Sequence, residues 1–324
     1  MRRKIPTTAA LAAFEAAARH LSFTRAAAEL AVTQSAICRQ VATLEAFLGV
    51  KLFRRSQRGV SLTDAGQRYA RRVAARLDEV ERDTLDLITT ARAPSGSAEV
   101  AGTLELAVVP TFATQWLLPR LPDFAARYPG VVLHFTPRTR PFLFADTVFD
   151  AAILPLPGDG LWPGTEGRCL LEEALIPVAA PRFLQARFGA GREQLTPEEV
   201  AALPLLQAST RPYAWRQWFA SLGLEVAHDM AGPRMELFSM LSEAAAQGLG
   251  VALVPSLLVE RELASGRLVR LLDHRFVSDR RYFLLYPPHK AQGEVLAALG
   301  TFAGWVVSHA QKTSGAWLKS LNDA

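Results

Sequence analysis

The chain has 324 residues, enough for two or three domains at roughly 100–200 residues each. Half of it is hydrophobic and 21% is charged, which excludes a disordered chain, and its apolar stretches, such as Leu249 to Val259, are too short to cross a bilayer. The net charge of +5 is unevenly spread: residues 1–92 hold 16 Lys and Arg against 9 Asp and Glu, and the remainder holds 20 against 22, so the footprint of a polyanion partner lies in the first third. Met1-Arg2-Arg3-Lys4 is basic like the start of a signal peptide, but Glu15 and Arg19 break the alanine-rich stretch that follows. The two cysteines, Cys38 and Cys169, form no CxxC pair and no disulfide framework. A cytoplasmic protein with no membrane partner is expected.

In chain order, residues 9–20 place Leu11, Phe14 and Ala18 on one face of a first helix. Ser22 caps a second helix from Phe23 to Ala31, and Val32 anchors a tight hydrophobic turn. Thr33 caps a third helix that runs to about Leu48 and stops at Gly49. Residues 50–62 read as two short strands around a polar tip at Gln57-Arg58-Gly59. Thr63 caps a long fourth helix from Asp64 to about Ala91, in which Val73, Leu77, Val80, Thr84, Leu87 and Ala91 recur at spacings of 4, 3, 4, 3 and 4. That is a heptad seam, read as a dimerisation helix, with packing against its own chain as the other reading.

Pro94-Ser95-Gly96-Ser97 is a small-residue hinge. After it, strand-length apolar runs (103–109, 131–136, 151–154, 174–179, 251–254) alternate with helical ones (116–128, 215–222, 238–247). The alternation predicts an α/β region with a mainly parallel sheet, and its length predicts two subdomains.

The second and third helices carry small or apolar residues inward: Ala26, Ala27 and Leu30 on one, Ala36, Ile37, Val41 and Leu44 on the other. Alanines at a crossing let two helices meet at the steep angle of a helix-turn-helix. Thr33, Gln34, Ser35, Cys38, Arg39 and Gln40 remain at the start and on the outer face of the third helix. Gln and Arg suit bidentate contact with adenine and guanine edges, and a recognition helix enters the major groove of double-stranded promoter DNA by its N-terminus. The hairpin adds Lys51, Arg54, Arg55 and Arg58 with no acid, suited to phosphates beside the groove.

These residues also carry a family resemblance. The segments AFEAAARHLSFTRAAAEL, TQSAICRQVATLE, LGVKLFRR and SLTDAGQ closely resemble LysR-type transcriptional regulators, most of all the branch of the glycine-cleavage activator and the β-lactamase regulator. The likeness continues at TFATQWLLPRLPDFAARYPGV, DAAIL, WPG, LIPVAAPRFL and AAAQGLGVALVP, and so covers nearly the whole chain.

The resemblance implies a multidomain architecture: an all-α winged helix-turn-helix with a long linker helix, then an α/β effector domain like a periplasmic binding protein, with two subdomains around a cleft. The expected boundaries are 1–63 for DNA binding, 64–93 for the linker and dimerisation helix, 94–310 for the effector domain and 311–324 for a tail. Within the effector domain, subdomain I takes about 100–170 and 275–310, and subdomain II about 171–274. The resemblance further implies a homodimer or homotetramer, RNA polymerase as a partner and a small-molecule effector. It aligns Gln34, Ser35 and Arg39 with base- or backbone-contacting positions and Arg54 and Arg55 with the wing. Cys38 departs from the serine common there, and a thiol donates a hydrogen bond poorly; a redox role is the other reading of this residue.

Effector residues follow from strand ends. Thr111, Phe112, Ala113 and Thr114 come after the first strand and before a helix, where hydroxyls and free amides suit an anion or simply cap the helix. Thr136 follows on the next strand, and Arg138 or Arg140 beyond it can clamp a carboxylate or lie on the surface. By resemblance, Ser209, Thr210, Phe238 and Ser239 approach the cleft. The expected effector is a small anionic metabolite such as an amino acid or carboxylate.

No metal motif, GxxxxGK loop or GxSxG elbow occurs, and the six histidines (His20, His134, His228, His274, His289, His309) are scattered. Gly248 and Gly250 lack the third glycine of a dinucleotide turn and lie between a helix and a strand, the wrong order. Neither an enzyme nor a cofactor is expected. A transport-type solute-binding protein would need an export signal in place of a basic helix-turn-helix.

Overall fold

The computed structural model describes residues 5–56, 59–92, 100–158, 160–192, 194–288 and 293–322. The chain divides into two compact units, Met1–Ser95 and Gly96–Ala324.

The first unit contains α1 (Thr8–His20), α2 (Phe23–Glu29), α3 (Gln34–Leu48), a hairpin of β1 (Phe53–Ser56) and β2 (Gly59–Leu62), and α4 (Asp64–Arg92). Each of the first three helices starts at a hydroxyl cap: Thr7, Ser22 and Thr33 accept from the amides of Ala10, Arg25 and Ala36 at 3.2–3.3 Å. Gly49 ends α3 in the left-handed conformation, φ 67°. Buried alanines at positions 13, 16, 17, 26 and 27 let the helices close around Phe14, whose ring meets Phe53 and Tyr69 at 5.7 and 5.6 Å. Val32 does not anchor the α2–α3 turn through its side chain, which is 47% exposed. The turn is closed by its backbone instead: the Val32 amide donates to the Ala27 carbonyl at 3.0 Å, with Ala31 left-handed at φ 53°.

The second unit begins with β3 (Gly102–Val108) and a helical run opened by α5 (Pro110–Phe112). This run starts six residues earlier than its apolar pattern predicts, because Pro110 suits the first helical turn. Pro119 and Pro122 lack amide donors, and the run passes through a π turn and a 3-10 turn before regularising as α6 (Leu121–Arg127). Then come β4 (Val131–Pro137), β5 (Ala151–Pro157), β6 (Glu166–Ala179), α7 (Pro181–Phe188), α8 (Pro197–Ala201) and β7 (Leu205–Ala208). The unit ends with α9 (Ala214–Ala220), β8 (Arg234–Met235), α10 (Phe238–Ala246), β9 (Val251–Pro255), α11 (Glu260–Ala264), β10 (Val269–Arg270), β11 (Phe276–Tyr286) and α12 (Gly293–Asn322). Helix α12 continues through residues 311–322, where the sequence suggested a separate tail.

The sheet order is β4-β3-β5-β11-β6-β9-β7-β8, with β10 beside β6. Two parallel groups, β4-β3-β5 and β9-β7-β8, are joined through the long antiparallel strands β6 and β11. The mainly parallel sheet expected from the helix–strand alternation is therefore mixed. Among the described residues this unit buries three apolar clusters: one with Trp116, Phe124 and Phe302, one with Trp215, Trp218 and Phe219, and a smaller one with Phe144, Phe149 and Phe283.

Candidate nucleic-acid interface and effector cavity

Helix α3 turns Ile37, Val41 and Leu44 into the core of the first unit and leaves Thr33, Gln34, Ser35 and Arg39 exposed, with Cys38 and Gln40 half-buried. The Thr33 and Ser35 hydroxyls bond each other at 2.9 Å at the helix start, where free amides and the helix dipole favour an anion. The surface offered to a polyanion thus holds two amide side chains, one of them half-buried, hydroxyls and a guanidinium within about two turns.

Glu45 fixes the hairpin to this helix, and the sequence reading missed it. Its carboxylate is buried and accepts from the Leu52 amide (2.8 Å), the Phe53 amide (3.2 Å) and the Lys51 ammonium (2.6 Å). Burial works to raise this carboxyl, but Lys51 and the two amides outweigh it and hold it below its ordinary range. The signal was present as an acid on the inward face of an apolar stripe, which needs partners. Lys51 is thereby partly neutralised, although its side chain stays 79% exposed. Arg54 is exposed and lies 3.7 Å from Asp64. Arg58 and the side chain of Arg55 lie outside the described residues, as do the hinge Pro94–Ser97, His289 and the Leu87 and Ala91 side chains of the heptad seam. Of that seam, Val73 is buried in the core of its own unit, whereas Val80 is 57% exposed and Thr84 returns its hydroxyl to the Val80 carbonyl at 2.7 Å.

In the second unit, strand ends and the crossing strands enclose a cavity of about 270 Å³. Thr111, Phe112, Arg140, Thr210 and Phe238 line it, as the sequence proposed for an effector site. Ser239 stands behind them, its amide donating to the Thr111 hydroxyl at 3.1 Å, so that the two helix starts α5 and α10 are tied together. Ala113 is buried outside the lining, and Thr114 is spent on the Pro110 and Thr111 carbonyls. Thr136 pairs in register with Ala107 on the neighbouring strand, Arg138 lies over the Phe149 ring at 5.1 Å, and Ser209 donates its amide to Met235. These last residues do not line the cavity.

Of the side chains on the crossing strands, absent from the sequence reading, β11 adds Arg280 and Tyr282 to the lining, and β6 reaches the cavity only through the partner of the lining residue Arg211. Glu173 on β6 is fully buried and holds Arg211 bidentately at 2.7 and 3.0 Å, while Ser278 on β11 donates to it at 2.9 Å. Burial lowers an arginine's affinity for its proton, but Glu173 more than offsets that for Arg211. Tyr282 on β11 is buried under Phe112, ring centroids 4.6 Å apart, and burial followed by the Glu173 charge raises its phenol well above the ordinary value. Arg280, two residues away, is half-buried and donates to the Pro155 carbonyl at 3.3 Å. Burial and then the neighbouring Arg211 lower its pKa, and the charges of Glu173 and Asp279 offset this only in part. Among the described residues no carboxylate forms an ion pair with Arg280 or Arg140. Trp162 adds an aromatic wall, held edge-on by Phe142 at 5.4 Å. Among the described residues, no His, Cys, Asp or Glu group could hold a metal ion, both cysteines are free, and no helix is long and apolar enough to cross a membrane.

A winged helix-turn-helix followed by a mixed α/β unit with a cavity at its strand ends defines a ligand-responsive DNA-binding protein. Residues 8–67 match the model of the bacterial regulatory helix-turn-helix protein, lysR family, and residues 97–308 match that of the LysR substrate binding domain. The chain belongs to the LysR family of transcriptional regulators. It is 36% identical over 312 residues to the glycine cleavage system transcriptional activator of Escherichia coli, covering 96% of both chains. It is 37% identical over 303 residues to the HTH-type transcriptional activator AmpR of Pseudomonas aeruginosa, covering 93% of this chain and 95% of that one. The solved effector domain of that AmpR superposes with a TM-score of 0.58 at 31% identity, covering 67% of this chain and all of the domain. The full-length structure of AphB of Vibrio cholerae shares the fold, with a TM-score of 0.53 at 19% identity over 91% of this chain and 98% of that one. The chain is therefore a DNA-binding regulator with an effector-binding domain, and not an enzyme.

Proposed function

We propose that this regulator binds promoter DNA through Gln34, Ser35, Arg39 and Gln40 on α3, with Thr33 and Cys38 beside them and Lys51, Arg54, Arg55 and Arg58 as wing contacts, and that a small anion in the second unit controls it. The effector is a carboxylate or an amino acid. The observation that carries this reading is Arg280: a half-buried guanidinium with no ion-pair partner among the described residues, in a cavity whose other buried arginine is already neutralised by Glu173. An incoming carboxylate supplies the missing counter-charge without displacing an existing bond.

The remaining assignments belong to the same reading. Residues 1–63 bind DNA, 64–93 form the linker and dimerisation helix, and 94–310 bind the effector. Exposed Val80 and partly buried Leu77 on α4 support self-association there. The protein works in the cytoplasm, as a homodimer or homotetramer, with RNA polymerase as its partner.

Two measurements test this. In a gel shift against the DNA upstream of its own gene, the full chain binds specifically and loses affinity steeply as salt rises, and joint substitution of Gln34 and Arg39 by alanine abolishes site choice. Retained site choice in that variant overturns the α3 assignment. In a thermal-shift panel of metabolites, small carboxylates stabilise the chain; stabilisation by neutral or cationic compounds alone overturns the anionic effector.

A further inference from the structure

The cavity carries more information than the sign of its ligand. Its walls are mainly apolar, and four aromatic residues line it: the stacked pair Phe112 and Tyr282, and on two further walls Trp162, set by an edge-on contact with Phe142 and a tilted one with Phe144, and Phe238, whose ring carries the Arg211 guanidinium at 5.8 Å. Its volume of about 270 Å³ lies just below the roughly 300–1,000 Å³ of pockets for drug-sized ligands, which suits a small metabolite. Its charges are ordered by depth. Arg280 is half-buried beside Tyr282, while Arg140 and Glu236 are exposed. One cation is therefore available in the interior, and the outer cation shares the rim with a carboxylate that opposes a second negative charge.

We propose that the effector is an aromatic monocarboxylate, bound by its carboxylate to Arg280 and by its ring between Trp162 and Phe238. This rests on the anionic reading of the cavity given above. A flat ring gains from the two aromatic walls beyond the area it buries, because offset and edge-on aromatic pairs attract through their quadrupoles. An aliphatic acid of equal size gains only the area. A dicarboxylate or phosphate brings its second charge to a rim where Arg140 and Glu236 oppose one another, so that charge gains little there. The WPG segment thereby has a role: Pro163 and Gly164 follow Trp162 in a turn, with Gly164 at φ 76°, between β5 and β6, the strand that carries Glu173.

The test is calorimetric titration of the full-length chain at neutral pH with phenylacetate, cyclohexylacetate, acetate, succinate, inorganic phosphate and benzyl alcohol. Phenylacetate is expected to bind at least about tenfold more tightly than acetate, succinate or phosphate, and several-fold more tightly than cyclohexylacetate. Arg280→Gln is expected to weaken phenylacetate by about tenfold or more, and Arg280→Lys, which keeps the charge but not the planar fork, by less. Trp162→Leu is expected to erase the difference between phenylacetate and cyclohexylacetate. If acetate, succinate or phosphate binds as tightly as phenylacetate, the aromatic class is wrong and the anionic reading stands. If benzyl alcohol binds as tightly as phenylacetate, or Arg280→Lys and Arg280→Gln leave binding unchanged, the anionic reading fails with it. Absence of binding by every compound overturns the assignment.

Discussion

Replacing Arg211 by methionine tests the buried ion pair beside the candidate effector cavity. Glu173 is fully buried, and its carboxylate is satisfied by the two Arg211 bonds and the Ser278 hydroxyl. Without Arg211 a carboxylate remains in the interior with one neutral donor. Breaking a buried ion pair on one side costs about 3–5 kcal/mol, because the uncompensated charge and not the lost contact sets the penalty. In a unit of this size each kcal/mol moves the melting temperature by roughly 2–4 °C, so a drop of roughly 6–20 °C is expected. All six tryptophans lie beyond residue 100, so fluorescence excited selectively in tryptophan reports melting of the second unit alone. Glu173→Met leaves Arg211 unpaired and costs a similar amount. The double variant, with both charges gone and similar volumes in place, is expected to lie within about 1–2 kcal/mol of the unmodified chain, the residue being the Ser278 hydroxyl and imperfect packing. If the double variant loses the sum of the two single losses, the pair is not coupled and the argument from buried charge is wrong.

Other substitutions address the DNA-binding unit. Glu45→Ala strips the buried Leu52 amide and the Phe53 amide of their acceptor; at about 1.5–3 kcal/mol per bond to a charged group, the unit should lose at least about 3 kcal/mol, read by helical circular dichroism of the full chain, and Glu45→Gln should lose less. Gly66→Ala puts a Cβ 2.1 Å from the Leu52 carbonyl oxygen, which also receives the Thr63 amide, so a loss of about 1–3 kcal/mol is expected despite alanine's better helix propensity; a neutral outcome refutes the close approach. Glu29 is held at about 2 by its bonds to Arg19 and then His20, below an ordinary value of 4.5. Because the folded value is depressed, its stabilisation is present above 4.5 and is lost as pH falls toward 2. A Glu29→Gln variant should be less stable at neutral pH and match the parent near pH 2, and an unchanged difference across that window would count against the pairing.

Local chemistry made the first unit legible. The hydroxyl caps Thr7, Ser22 and Thr33, the left-handed Gly49 and the alanine-lined crossing are each specified within a few residues, so helix limits and the outward face of α3 follow from short-range rules. Val32 was misread for the same reason: hydrophobicity suggested a buried anchor, and only the packed turn showed that its backbone closes the structure while its side chain meets solvent. Of the residues that line the cavity, the strand-end rule pointed to Thr111, Phe112 and Arg140, and family resemblance to Thr210 and Phe238.

The rule had no hold on Glu173, Ser278, Arg280 and Tyr282. They lie in β6 and β11, the second of which reads FVSDRRYFLLY, with charges that break any apolar run. Glu173 and Arg211 are 38 positions apart, and Glu173 and Ser278 are 105 apart. The amino-acid sequence by itself determined the helices of the first unit, the confinement of excess positive charge to the first third of the chain, and the family. The tertiary structure decided which distant charges face one another, because an ion pair depends on separation in space and burial, and neither is written in the spacing along a chain.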